Sequence, residues 1–155
     1  MIEVVRRLLS ESAQNALETM FFTTPEAVST ELQRPSGELI AASLSFQGAP
    51  PGRFGILVSA PAARRMAANF LGSDEEARLP PAQVSGIVGE LANMICGAML
   101  SELESDANFD ISEPATAYAG ASEPGPDFLS GSPVAVRFEL PGGAMVLSFA
   151  FEERA

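Results

Sequence analysis

Hydrophobic residues between positions 81 and 105 recur with the spacing of one helical face. At roughly 100° per residue, one side of such a helix collects the apolar positions Val84, Ile87, Val88, Leu91, Met94, Ile95, Ala98 and Met99. The opposite side carries four residues at spacings of four, three and four, namely Gly86, Glu90, Asn93 and Gly97. Pro81 suits the first turn. The pattern predicts a helix over residues 81–105 that displays a carboxylate and a carboxamide one turn apart.

The rest of the chain combines helical spacing with period-two alternation. Helices are predicted at Ile2–Met20 and Ala60–Leu71, followed by a polar loop at residues 72–79. Alternating runs predict strands at Leu39–Gln47, Gly52–Ser59, Val134–Leu140 and 144–152, with one or two short strands between Phe109 and Tyr118. Residues 120–133, rich in Gly, Pro and Ser, predict an exposed loop.

These elements predict an α+β fold. An antiparallel sheet is covered by two long helices plus a shorter helix, because strands with one apolar face need a layer that buries it. At 155 residues, a single domain spanning residues 1–155 is expected. The final hairpin is expected at an exposed edge of the sheet.

Composition and charge exclude several kinds of site and partner. Nine basic and twenty acidic residues give a net charge of -11, which argues against nucleic acid or an anionic membrane as a partner. The chain has no histidine and one cysteine, so the usual zinc sites, Cys–His nucleophiles and Ser–His–Asp triads are unavailable. We therefore expect no metal or cofactor of its own, and Cys96 as a buried thiol.

The sequence shows no secretion signal, because residues 1–9 contain charges and no apolar core of the required length. No run approaches eighteen apolar residues, so no membrane span is expected. A cytoplasmic location is the simplest expectation.

The Glu90-x-x-Asn93 spacing alone leaves two interpretations open. The two residues could be polar groups on a solvated face, with the glycines making room for a neighbouring helix, or they could form a functional pair. Glycines inside a helix each cost about 0.5–1 kcal/mol relative to alanine, so Gly86, Gly89 and Gly97 need a reason such as close backbone approach. A similar Glu11-x-x-Gln14 spacing in the first helix is interpreted as surface.

The block Glu90-Leu-Ala-Asn93-Met-Ile-Cys-Gly97 resembles the CheX branch of the CheC/FliY/CheX phosphatases of bacterial chemotaxis. The run Ala13-x-x-Ala16-Leu-Glu-Thr-Met-Phe-Phe22 resembles the beginning of that branch. The resemblance implies a phosphatase that acts on the phosphorylated receiver domain of a response regulator. Glu90 would bind the receiver's lysine, and Asn93 would orient the attacking water.

The resemblance also implies partners and a source of metal. Magnesium would come from the receiver, Gly86 and Gly97 would let the two backbones approach, and copies of the chain would form a homodimer through sheet edges. The chain departs from the CheC/FliY pattern at Gly86, where that pattern has Asp or Ser, and Pro114 falls slightly short of a later proline. The alternative function is a non-catalytic adaptor of the same fold that binds a receiver or another signalling component.

Overall fold

The computed structural model describes residues 2–30, 33–48, 50–103, 109–119 and 134–152. It contains three helices, α1 (Ile2–Met20), α2 (Ala60–Leu71) and α3 (Pro81–Leu103). The strands are β1 (Ala27–Ser29), β2 (Leu39–Gln47), β3 (Gly52–Ser59), β4 (Asp110–Ile111), β5 (Ala115–Ala119), β6 (Val134–Leu140) and β7 (Gly143–Phe151).

Most elements have the bounds that the sequence predicts. The predicted polar loop before α3 contains one turn of 3-10 helix at Glu76–Arg78. The last two residues of the helix predicted over 81–105, and the loop predicted over 120–133, lie outside the described residues. The longer elements agree because their apolar spacing covers several turns of helix or several strand residues.

All strands join one antiparallel sheet in the order β1-β6-β7-β3-β2-β4, and β5 also pairs with β2. Helices α1 and α3 pack against each other and against this sheet, α1 on β6 and α3 mainly on β2. The shorter α2 contacts α3 and the central strands. The predicted α+β fold with two long helices and one shorter helix over an antiparallel sheet is confirmed.

One hydrophobic core lies between the helices and the sheet. Alternate residues of β2 enter it, including Ile40, Leu44 and Phe46, together with the alternate apolar residues of the final hairpin. The three helices and strands β2, β3, β6 and β7 contribute buried residues to this core, and a small separate cluster joins Leu39, Ala41 and Leu57. A single domain over the whole of residues 1–155 stays a prediction.

Helix α3 is the most apolar helix and contributes ten buried residues, Val84, Ile87, Val88, Gly89, Leu91, Ala92, Ile95, Cys96, Met99 and Leu100. Ala98 was predicted on the apolar face but is exposed. The buried stripe extends instead toward Ala92 and Cys96, because α3 contacts both α1 and α2 as well as the sheet.

The length and hydropathy of α3 are sufficient for a membrane span, although the sequence was expected to contain none. More than half of its most apolar window is buried inside the fold, as in the core helix of a globular domain. Such a helix is weak evidence for a span. The cytoplasmic location stays a prediction.

Strand β1 was not predicted, and it changes the position of the final hairpin. Its three residues pair with residues 137–139 of β6, while β7 pairs with β3 on the other side of the hairpin. The expectation of a final hairpin exposed at the sheet edge is therefore wrong. Among the described residues, the outer strands are β1 at one edge and β4 and β5 at the other.

The chain forms two halves with the same order of elements, which the sequence did not reveal. Apart from the two-residue β4 between α3 and β5, a long helix, a short strand and a hairpin follow each other in α1-β1-β2-β3 and again in α3-β5-β6-β7. The short strand of each half pairs with the hairpin of the other, β1 with β6 and β5 with β2. Each helix also packs on the hairpin of the other half.

Cys96 is fully buried on α3, as the sequence predicts. Burial disfavours the charged thiolate and raises the pKa of the Cys96 thiol to about 12. The thiol therefore stays protonated at neutral pH and behaves as a small apolar core group.

Candidate functional site

Helix α3 turns Glu90 and Asn93 toward solvent. Both side chains are exposed, whereas Leu91 and Ala92 between them are fully buried. The pair is thus held by the same turn of helix that packs into the core. Its exposure agrees with the face that the helical spacing predicts.

The pair lies along an open groove of about 420 Å³ between α3 and the strands at the sheet edge. The groove is lined by Gly86, Gly89, Glu90, Asn93, Ile111, Ser112, Glu113, Pro114 and Thr116. Helix α3 forms one side, and the other side is formed by β4, β5 and the connection between them. We call residues 112–114 the groove wall.

The groove wall is fastened to the sheet by paired hydrogen bonds. The Ser112 N–H donates to the carbonyl oxygen of Ser45 at 2.8 Å, and the Ser45 N–H donates to Ser112 Oγ at 3.0 Å. The Ser112 hydroxyl also donates to the carbonyl oxygen of Glu113 at 3.3 Å. These bonds tie the wall to β2, a strand inside the sheet.

The three interior glycines of α3 have different surroundings. A methyl group on Gly89 would lie 3.2 Å from Thr116 Cγ2 and 3.3 Å from Pro114 Cβ, so glycine lets the groove wall approach the helix. A methyl group on Gly97 would meet Ile111 at an ordinary 3.9 Å. Gly86 is exposed with nothing within 4 Å of such a group. Close approach within this chain therefore explains Gly89 but leaves Gly86 without an internal reason.

The charged residues that line the groove are all acidic. Glu90 and Glu113 stand on opposite sides, and the lining contains no arginine or lysine. Within the part of the chain that the structure describes, neither carboxylate forms an ion pair and the Asn93 amide has no hydrogen-bond partner. The groove therefore offers two carboxylates and an amide to an incoming molecule.

The groove wall could not be predicted from the sequence. Of its three residues, only Pro114 stands out in the sequence, as a departure from the family pattern, and no motif marks Ser112 or Glu113. These residues are far from Glu90 in the sequence. They line the same groove because β4 and β5 pair with β2.

The Glu11-x-x-Gln14 spacing on α1 has different neighbours. Arg7 lies 3.9 Å from the Glu11 carboxylate, and Gln14 donates to the Glu18 carboxylate at 3.2 Å. The equivalent positions on α3 are Gly86 and Gly97, which bring no side chain to the pair. Glu11 and Gln14 are thus engaged by their own helix, and they provide matched controls for Glu90 and Asn93.

No group of three or more His, Cys, Asp or Glu side chains placed to hold a metal ion is found in residues 2–30, 33–48, 50–103, 109–119 and 134–152.

The family model for the chemotaxis phosphatase CheX matches residues 40–123, more than half of the chain. The chain belongs to the CheX family. The match includes α3 and the groove wall, and the family is one of chemotaxis phosphatases. No curated protein matches the sequence.

Solved structures show the same fold. The CheX of Desulfovibrio desulfuricans has a TM-score of 0.75 at 20% identity, with 96% of this chain and 99% of that chain covered. The CheX of Vibrio vulnificus gives 0.75 at 20% identity, covering 96% of each chain. The CheX of Borrelia burgdorferi, solved in a complex with CheY, BeF3 and Mg2+, gives 0.69 at 22% identity, covering 95% and 97%.

Alanine substitutions at Gly86 and Gly89 should change the stability of the fold by different amounts. Gly86→Ala should raise the free energy of unfolding by about 0.5–1 kcal/mol, because alanine favours an exposed helix interior and meets nothing there. Gly89→Ala has the same backbone advantage, but its methyl group presses on Thr116 and Pro114, so its gain should be smaller or reversed. Urea unfolding of both variants measures the difference, and equal stabilisation would show that the wall does not pack tightly on α3.

Proposed function

We propose that this CheX-family domain hydrolyses the aspartyl phosphate of a response-regulator receiver domain. The observation that carries the proposal is the exposed Glu90–Asn93 pair on α3, displayed along an open groove in a member of a family of chemotaxis phosphatases. In this role Asn93 enters the receiver's active site and orients the attacking water.

Hydrolysis of an aspartyl phosphate requires few catalytic groups from the phosphatase. An aspartyl phosphate is a reactive mixed anhydride, so a water held in line with phosphorus can displace the carboxylate. The new bond joins water oxygen to phosphorus, the phosphorus–oxygen bond to the aspartyl group breaks, and that carboxylate keeps the electron pair. Both protons of the water leave with inorganic phosphate. Catalysis by positioning therefore needs neither a histidine nor a thiolate from this chain.

Asparagine suits the position of Asn93. Its amide offers both a donor and an acceptor, so it can hold the orientation of a water molecule without bringing negative charge to an anionic transition state. A carboxylate at the same position would repel that charge. The absence of a hydrogen-bond partner for Asn93 among the described residues leaves both groups available to the water.

Glu90 is proposed to anchor the receiver's lysine through a charge-assisted hydrogen bond. Glu90 lies one turn before Asn93 on α3. Its bond to the lysine would therefore set the depth at which the Asn93 amide enters the receiver's active site. Gly86 and Gly97 flank the pair and are proposed to let the receiver backbone approach α3. The open surroundings of Gly86 support that role.

Magnesium is proposed to arrive with the receiver and to neutralise charge on the phosphoryl group. The similar CheX of Borrelia burgdorferi was solved together with CheY and Mg2+, which supports a CheY-type receiver as the partner here. The groove of this chain, with two carboxylates, has room for basic groups of such a partner.

We also propose that two copies of the chain pair through β5. This strand has the sequence Ala-Thr-Ala-Tyr-Ala and lies at the sheet edge, where the described residues place no further strand beside it. It contains no charge, proline or glycine, the features that usually prevent an edge strand from pairing with another chain. A symmetric antiparallel pair of β5 strands would be centred near Ala117.

Asn93→Ala should lower the turnover of receiver phosphate on the order of a hundredfold, because the water loses its orienting group, while receiver binding is retained. Phosphate release from a panel of phosphorylated CheY-type receivers measures turnover, and Gln14→Ala is the control on α1. If the unchanged protein binds a phosphorylated receiver without shortening the lifetime of its phosphate, the adaptor function is correct and the phosphatase function is wrong.

Glu90→Lys should weaken association with the receiver about tenfold or more, because a cation would face the receiver's lysine. Association with a receiver activated by beryllofluoride separates binding from hydrolysis. Glu11→Lys makes the same charge change on α1 and should bind normally. Equal affinity of the Glu90→Lys variant and the unchanged protein would remove the proposed lysine contact.

Ala117→Lys should convert the proposed dimer into a monomer, because two lysines would meet at the centre of the paired β5 strands. Ala27→Lys places the same residue on β1 at the opposite edge and should leave the dimer intact. Sedimentation velocity measures both. A monomeric unchanged protein, or a dimer that tolerates Ala117→Lys, would contradict pairing through β5.

A further inference from the structure

We infer that Glu113 on the groove wall is a second docking residue, which selects receivers that carry a basic side chain beside their phosphorylation site. This inference rests on the proposed function, and it concerns which partners the site accepts. Glu113 lies outside the Glu90-x-x-Asn93 pair and lines the groove with it.

The position of Glu113 is fixed from both sides. On one side, Ser112 is bound to β2 through its backbone and its hydroxyl group. On the other side, Pro114 packs against α3 where Gly89 provides the space. Glu113 is therefore held on a wall whose distance from Glu90 and Asn93 is set by the fold.

The charge of Glu113 is available to a partner. Its side chain is exposed, and no cation in the described residues pairs with it. A molecule that places a lysine against Glu90 brings adjoining surface against the opposite side of the groove. A basic side chain on that surface would meet Glu113, whereas an acidic one would be repelled.

This arrangement gives the two glutamates different tasks. Glu90 binds the receiver's lysine, while Glu113 contacts a basic side chain at the periphery of the interface. Charges at the rim of an interface act mainly on the rate of association and its dependence on salt. Glu113 should therefore affect how readily a receiver is captured and leave the hydrolysis step unchanged.

Glu113→Arg tests the inference with the receiver that the unchanged protein dephosphorylates fastest in the panel. We expect KM for the phosphorylated receiver to rise about tenfold at low salt, kcat to stay within about twofold, and the KM difference to shrink as salt is added. Glu113→Gln should give an intermediate KM. Glu26→Arg reverses the same charge on an exposed glutamate outside the groove lining and should have no effect.

A variant with unchanged KM would overturn the inference, and so would a fall in kcat equal to the rise in KM. Exchange of charge on the receiver completes the test, because an acidic substitution of the basic group that contacts Glu113 should restore capture by Glu113→Arg. If receivers bind but are never dephosphorylated, beryllofluoride-bound receivers take the place of substrate and Kd replaces KM, so the phosphatase proposal fails separately. If no receiver binds at all, both proposals are wrong.

Discussion

The burial of α3 across the sheet is the interaction on which the candidate site depends. Each large apolar side chain that α3 buries contributes about 1.5–3 kcal/mol, and the helix buries seven of them, Val84, Ile87, Val88, Leu91, Ile95, Met99 and Leu100. Three interior glycines cost about 0.5–1 kcal/mol each. Burial therefore exceeds the glycine cost several times over. The helix can keep glycines where a neighbour or a partner needs space and still hold Glu90 and Asn93 in a fixed orientation.

The same helix has two different faces toward its surroundings. At Gly89 it accepts the groove wall at close contact, and at Gly86 it is open to solvent. The wall is bound in turn to β2 through Ser112. The groove thus lies between a helix packed in the core and a wall bonded to the sheet, which suits the proposed positioning of a water molecule. Its unpaired carboxylates give it the charge that a basic partner surface would complement.

The sequence predicted the long elements well because periodicity accumulates over many residues. It placed Glu90 and Asn93 on the exposed face of a helix from spacing alone, whereas their roles came from a family resemblance and remain proposals. It missed β1, since Ala27–Ser29 is too short and too exposed to show alternation. It also missed Glu113, because the nearness of the wall to α3 depends on which strands pair. Ala98 was misplaced because contacts with two other helices shift the buried stripe of α3.

The exchange of short strands between the two halves has a consequence for how the chain can be divided. A fragment ending after α2 would contain β2 without its β5 neighbour and β1 without the β6 strand on which it lies. The complementary fragment would lack the same partners. Each piece would expose unpaired backbone groups and an uncovered apolar sheet face. Neither half of the repeat therefore contains all the strand partners that it uses in the described structure.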